Sequence, residues 1–467
     1  MKNVKRIPVL LLGVTILFTL LAGCGGKASE SNGSTASVST APAADATTAA
    51  VSEAPAKKEV KGDIKYMFWG NTDQLAAIQK QVDQFKQTEP KVNINVDVAD
   101  WGTYWTKLQT STAAGDAPDT FAMSTTAWLP YYASKDFLLD MNPLSAADGF
   151  DTGKYSKAAL GLSTYEGKLL GLPQDLNVIV MAYNTDMFTA AGVAPLTGDT
   201  TWDEVLAATQ KLTVDEAGKN PTDPAFNIKK VKQWGFQNRA YYIDGFLDPV
   251  AYAFGGSFFK DGKPNVKDPN TKKAIQLLTD FVTQYHVAPD LDTSAEWDDQ
   301  FSLKKAAMIP MPSYWAYQYA DPTKDLGINY EIAPMPKATK DGKSYNAVQS
   351  KAISIYKGTK NVDAAWAFCK FICSDEQYVA LTKEGRGLSP ITAQLKDLYL
   401  GLDWGPKTTK QVMLDALEDP CPVPQINKLG DGNTAAATVI SNILLRNKMP
   451  FDQAIDKMDA DMNAAIQ

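Results

Sequence analysis

From Asp63 onward the apolar residues switch between alternate spacing and helical spacing, segment after segment, and that switching decides the fold class. Ile64-Lys65-Tyr66-Met67-Phe68-Trp69 reads as a short apolar strand. Leu75, Ile78, Val82 and Phe85 then recur at helical spacing and stop before Pro90. Val92, Ile94, Val96 and Val98 alternate strictly, which predicts a second strand. A helix over Tyr104 to Ala113 closes at Gly115, and Thr120 to Met123 supplies a third strand. Strand, helix, strand in this order predicts parallel strands joined by crossover helices, an α/β fold. Ligands in such sheets sit beyond the carboxyl ends of the strands, which directs attention to Trp69–Thr72 and Ser124–Thr126.

Further strands are expected at Val178–Asn184 and Ala306–Ile309, with helices at Trp202–Leu212, Ala274–Tyr285, Val362–Ile372 and Phe451–Ile466. Thr201 is positioned to cap the first of these helices. Strands so widely scattered require two sheets, and 467 residues suffice for two domains. A net charge of −7 argues against nucleic acid, which needs clustered positive charge. The single histidine, His286, removes most zinc sites and any scheme that needs a second imidazole. No metal site and no cofactor are expected. Cys369 and Cys373 lie four apart on a predicted helix, a spacing that suits buried thiols better than a disulfide. Cys421 sits between prolines with no visible partner.

The first residues read as a targeting segment. Lys2, Lys5 and Arg6 precede an apolar run from Ile7 to Leu21, too short for a membrane span. Leu21-Ala22-Gly23-Cys24 resembles the lipobox of bacterial lipoproteins. That resemblance implies a signal peptide over 1–23, a palmitate-type acyl anchor on Cys24 and an extracytoplasmic protein held at the cell membrane. Residues from Lys27 to about Lys61 are nearly all small, polar or charged, so 24–62 is expected to be a disordered tether.

Four segments together resemble the extracellular solute-binding proteins of the maltose-binding type, over nearly all of 63–467. They are Gly115-Asp116-Ala117-Pro118-Asp119-Thr120-Phe121; Gly171-Leu172-Pro173 through Tyr183-Asn184-Thr185-Asp186 to Thr201-Trp202-Asp203-Glu204; Lys305-Ala306-Ala307-Met308-Ile309 with Ser313-Tyr314-Trp315; and Ala352-Ile353-Ser354-Ile355 with the Lys360–Phe371 helix. The resemblance implies two α/β lobes around a ligand cleft, with lobe one at 63–175 plus 349–386 and lobe two at 176–348 plus 387–467. The crossings would fall near Pro173–Asn177, Tyr345–Gln349 and Gly387–Pro390. It also implies a monomer that captures a sugar by lobe closure and passes it to an ABC transporter permease, and it makes Trp315 the aromatic facing the cleft.

A sugar offers hydroxyls that need hydrogen bonds and C–H patches that prefer an aromatic face, so its site needs flat rings interleaved with polar groups. On that basis the candidates are Trp69, Asn71, Ser124, Thr125 and Trp128 beyond the strand ends, and Gln174 and Asp175 as polar residues inside an apolar crossing. Trp297 and Trp315, Tyr242 after the Trp234–Phe236 strand, Gln349 at a crossing and Arg386 between two glycines complete the set. Each has an ordinary reading beside it: lobe packing for Trp69, a hinge hydrogen bond for Gln174 and Asp175, a salt bridge for Arg386. Trp101, Trp105, Trp202, Trp234 and Trp366 fall in helix or strand patterns and are assigned to the core. Two rival functions remain open: the same fold binding a non-sugar solute, and a lipid-anchored glycoside hydrolase working through paired carboxylates.

Overall fold

The computed structural model describes residues 59–467 apart from 296–297, 321–325, 407 and 425. Cys24, the segment before it and most of the expected tether lie outside the described residues. Two sheets carry the chain. The first has the order β2-β1-β3-β9-β4, built from β1 (Gly62–Trp69), β2 (Val92–Ala99), β3 (Thr120–Ser124), β4 (Leu172–Pro173) and β9 (Lys351–Ile355). β1 pairs in parallel with β2 and β3, as its flanking helices α1 (Thr72–Thr88) and α2 (Trp101–Ala113) require. β9 runs antiparallel to both β3 and β4.

The second sheet departs from the parallel expectation. Its centre is β5 (Asn177–Asn184), flanked by β6 (Met308–Pro312) and β7 (Tyr330–Ala333), with β8 (Val348–Gln349) on its first residues. All three partners are antiparallel to β5. Periodicity cannot report strand direction, because long loops and helices separate these strands in sequence. β5 is buried along its whole length, which is why Val178 to Tyr183 reads as one apolar run.

Each sheet is covered on both faces. Along β1, Ile64, Tyr66 and Phe68 enter a cluster with Phe85, Ile353 and Phe368, while Met67 faces Tyr104, Trp105 and Phe121. In the second sheet Met181 and Tyr183 join a large cluster with Trp202, Phe236, Phe246 and Phe281. Val178, Val180, Ile309 and Met311 face the other side, with Leu395 and Tyr399. The C-terminal helices α7 (Leu429–Val439) and α8 (Phe451–Ile466) pack into the Trp202 cluster through Leu429, Val439, Met458 and Met462. No helix among the described residues is long and apolar enough to cross a membrane.

Local chemistry sets the helix boundaries. Thr201 and Glu204 form a reciprocal capping box at the start of α3 (Trp202–Leu212). α4 (Pro269–Thr283) begins five residues before the apolar periodicity does, because Asp268 caps it and Pro269 suits its first turn. Cys369 and Cys373 are free and buried, as is Cys421.

Trp202 is 1% exposed, and the rings of Phe236, Phe246 and Phe281 surround it at centroid distances of 6.1–6.4 Å. Trp202→Ala is expected to cost about 3–5 kcal/mol of unfolding free energy. Urea denaturation of the two proteins checks this, and an unchanged midpoint would show that the cluster is not the core of the second lobe.

Candidate functional site

The chain leaves the first sheet at Pro173 and enters the second at Asn177, then returns between Gln349 and Lys351. Here the two passes are bonded to each other. Gln174 N donates to Lys351 O at 2.6 Å, Lys351 N to Asp175 Oδ1 at 2.8 Å, and Ser350 Oγ to the Asp175 carbonyl at 2.7 Å. Leu176 and Leu388 exchange two backbone bonds at 2.9 and 3.0 Å, which brings the segment after Gly387 alongside. Burial raises the Asp175 pKa, and Lys351, whose own pKa burial lowers, opposes that rise.

Register places one end of each sheet beside this junction. Lys351 pairs with Ser124 at the carboxyl end of β3, and Pro312 at the carboxyl end of β6 pairs with Ile179 near the start of β5. On the first lobe the strand ends carry a cluster of rings. Trp69 meets Trp101, Tyr104 and Trp105 at 5.1, 5.3 and 5.6 Å, and Trp105 stacks on Trp128 at 4.6 Å and 12°. Trp101 is 48% exposed, which corrects its assignment to the core. It stands in the first turn of α2 and its ring leans on Trp69, so a helical pattern did not mean burial. Thr125, beside Ser124, donates through Oγ1 to Ser350 O at 2.7 Å and so ties the strand end to the crossing.

On the second lobe, Gln237 N bonds Met308 O at 2.8 Å, so the segment from Trp234 runs along β6 and its continuation emerges at the same end. That continuation supplies Arg239, Tyr241, Tyr242 and Asp244. The Tyr242 hydroxyl donates to Gln349 Oε1 at 2.5 Å. Gln349 Nε2 donates to Asp244 Oδ2 at 3.3 Å, and Thr126 Oγ1 of the first lobe donates to the same oxygen at 3.3 Å. Asp244 is half-buried, and desolvation raises its pKa, held back by these donors and by backbone N–H groups. A Cβ on Gly245 would fall 2.1 Å from the Tyr242 ring, so glycine is required for this turn. Trp315 opens helix α5 (Trp315–Ala320) directly after β6, half-buried, with Arg239 over its ring.

A third segment reaches across. Asn427 accepts from the Tyr165 hydroxyl at 3.2 Å, and a Cβ on Gly430 would lie 3.1 Å from the Ala127 carbonyl oxygen. Between Thr126, Asp244, Asp248, Cys421, Leu429 and Asn433 lies a cavity of ≈ 20 Å³, room for about one water.

The structure therefore gathers Trp69, Ser124, Thr125 and Trp128 on one side of the junction, Gln174, Asp175 and Gln349 within it, and Tyr242 and Trp315 on the other. Asn71 is an exposed helix cap whose side chain accepts from Gln74 N at 3.0 Å. Arg386 Nε donates to Glu384 at 2.8 Å. Trp297 lies outside the described residues. Sequence reasoning missed Arg239 and Asp244; a charged residue within Trp234–Phe246 was the only available signal. Among the described residues no group of three or more metal-ligating side chains converges.

Comparison with known proteins agrees with this geometry. The profile of the bacterial extracellular solute-binding proteins matches residues 80–410, and the chain belongs to that family. It is 24% identical over 343 residues to the maltotriose-binding protein of Pyrococcus abyssi, covering 72% of this chain and 68% of the relative. Against the arabinooligosaccharide-binding protein of Bacillus subtilis it is 25% identical over 324 residues, 68% of this chain and 70% of the relative. An ABC substrate-binding protein from Listeria monocytogenes, solved in complex with cycloalternan, superposes with a TM-score of 0.74 at 23% identity, over 86% of this chain and 98% of that one. The two-lobed architecture is common to both structures.

Burial pushes the Asp248 pKa up to about 7, and the nearby charge of Asp244 adds to the rise. An unfolded Asp ionises near pH 4, so between about 4 and 7 the folded protein holds a proton that the unfolded chain has lost. Stability must therefore fall as pH rises through that window, by at most about 1.4 kcal/mol per unit from this group. Asp248→Asn keeps an acceptor for Phe258 N and is expected to flatten the fall. Urea midpoints from pH 4.5 to 8 check it; equal slopes in both proteins would refute it.

Proposed function

We propose that this member of the extracellular solute-binding proteins captures a saccharide between its lobes and presents it to an ABC transporter permease. One observation carries the reading: tryptophans cluster at the strand ends of one lobe, and Asp244 and Tyr242 of the other bond to Thr126 and Gln349 beside the same crossings. Indole faces suit the C–H side of a sugar ring, and the carboxylate, amide and hydroxyls suit its rim. The named saccharides of the two relatives and of the Listeria protein support the same class.

Lobe one is taken as 63–175 with 349–386 and lobe two as 176–348 with 387–467. The changes of sheet between β4 and β5 and between β8 and β9 support these limits. So does packing, since Tyr378 joins the core of the first sheet while Leu395 and Tyr399 join that of the second. Ligand bridging both lobes favours the closed arrangement by its extra contacts there, and closure is the signal that a permease reads. The protein acts as a monomer, anchored outside the cell by acylated Cys24 and lifted from the bilayer by its tether. The family is one of binding proteins, and the hydrolase rival makes a different demand: turnover of an aryl glycoside, abolished by replacing one carboxylate.

A thermal-shift and calorimetry panel of maltotriose, arabinooligosaccharides and other glycans is expected to give at least one ligand of micromolar affinity with a change in tryptophan fluorescence. Trp101→Ala should weaken that ligand roughly tenfold, about 1.4 kcal/mol, with the melting temperature of the free protein unchanged because the ring is half exposed. Silence across the panel would sink the saccharide assignment. For the anchor, the wild-type chain should sediment with membranes of a lipoprotein-processing cell and Cys24→Ser should not; equal sedimentation would overturn it.

A further inference from the structure

Arg239 is 1% exposed, and a guanidinium removed from water is costly unless specific groups hold it. Nη1 donates to the Tyr241 hydroxyl and Nη2 to the Asp298 carbonyl oxygen, each at 3.0 Å. The guanidinium carbon lies 4.8 Å from the centroid of the Trp315 ring, within the range where a cation and a π face attract. Tyr314 and Tyr319 meet the same indole at 88° and 61°, both with centroids 6.3 Å away. Trp315 is half-buried and packs against the cluster that includes Tyr319 and Leu395. Its remaining exposed surface is what is left to a solute.

We propose that Arg239 is a positioning residue that fixes the plane of Trp315 before ligand arrives. The idea rests on the saccharide reading for its purpose, but its geometry stands without a sugar. A stacking platform works only if its plane is set before the ligand arrives, since ordering a ring at the moment of binding lowers affinity. Arginine suits the task because its planar fork can hold Tyr241 and Asp298 while lying over the indole. A lysine could keep the charge near the ring, but its compact ammonium cannot make both bonds and cover the face.

The test uses the full-length protein labelled with 5-fluorotryptophan, with the Trp315 fluorine resonance assigned by loss in Trp315→Phe. Without any saccharide, Arg239→Met should shift and broaden that resonance while the Trp366 signal in the other lobe stays in place, and Arg239→Lys should fall between. With maltotriose as probe, Arg239→Met should weaken binding at least tenfold and Arg239→Lys less. A Trp315 resonance of wild-type position and width in Arg239→Met would overturn the proposal. Should that variant fail to fold, the same unchanged resonance in Arg239→Lys would overturn it. If maltotriose and the wider panel fail to bind the wild-type protein, the saccharide reading falls, and the fluorine spectrum still decides the role of Arg239.

Discussion

Two strands of chain pass from one sheet to the other side by side, and the bonds between those passes determine where everything else can be. Asp175 gives its carboxylate to the Lys351 backbone and its carbonyl to Ser350, while Thr125 grips Ser350 from the end of β3. A carboxylate out of water needs such donors, and here they come from the opposite pass. The pairing registers the two sheets against a common junction. It is this register, more than any single side chain, that brings the carboxyl ends of β1, β3 and β6 to one place.

Around that junction the two lobes contribute different chemistry. The first supplies flat surfaces: Trp69, Trp101, Trp105 and Trp128 support one another by edge and face, which holds large rings near solvent without burying them all. The second supplies charge and hydroxyl groups, with Arg239 buried against Trp315 and Asp244 half-buried beside Gln349, the partner of Tyr242. The asymmetry follows from the connections. Short parallel crossovers deliver a ring-bearing helix directly after β2, whereas the second lobe builds its share from an irregular segment laid along β6.

Most of the first sheet was legible because its strands and helices alternate locally, so β1, β2 and β3 could be read within one or two residues. α3, α6 (Val362–Ile372) and α8 were legible from their amphipathic spacing, with a capping box added at α3. The antiparallel second sheet was not, since β5 meets partners more than a hundred residues away and nothing in its own sequence states their direction. Of the candidate site, the strand-end rule reached Trp69, Ser124, Thr125 and Trp128, which the fold gathers beside the junction. It missed Trp101, because a helical pattern was equated with burial. Arg239 and Asp244 escaped for a deeper reason: their value comes from tertiary neighbours, Trp315 and Thr126, that local spacing cannot foretell. Asn71 shows the converse, a polar residue at the right strand end whose oxygen is already spent on capping its own helix.

The contact between Thr126 and Asp244 carries a thermodynamic corollary. Closing the gap exchanges water for protein whether or not a guest is present, so a guest's apparent affinity is a difference between its own grip and the grip the jaws have on each other. At 3.3 Å the Thr126 and Gln349 bonds to Asp244 are longer than a well-made hydrogen bond. Tyr242 adds a close bond to Gln349 at 2.5 Å, so a guest's own contacts must outweigh one short bond and two long ones.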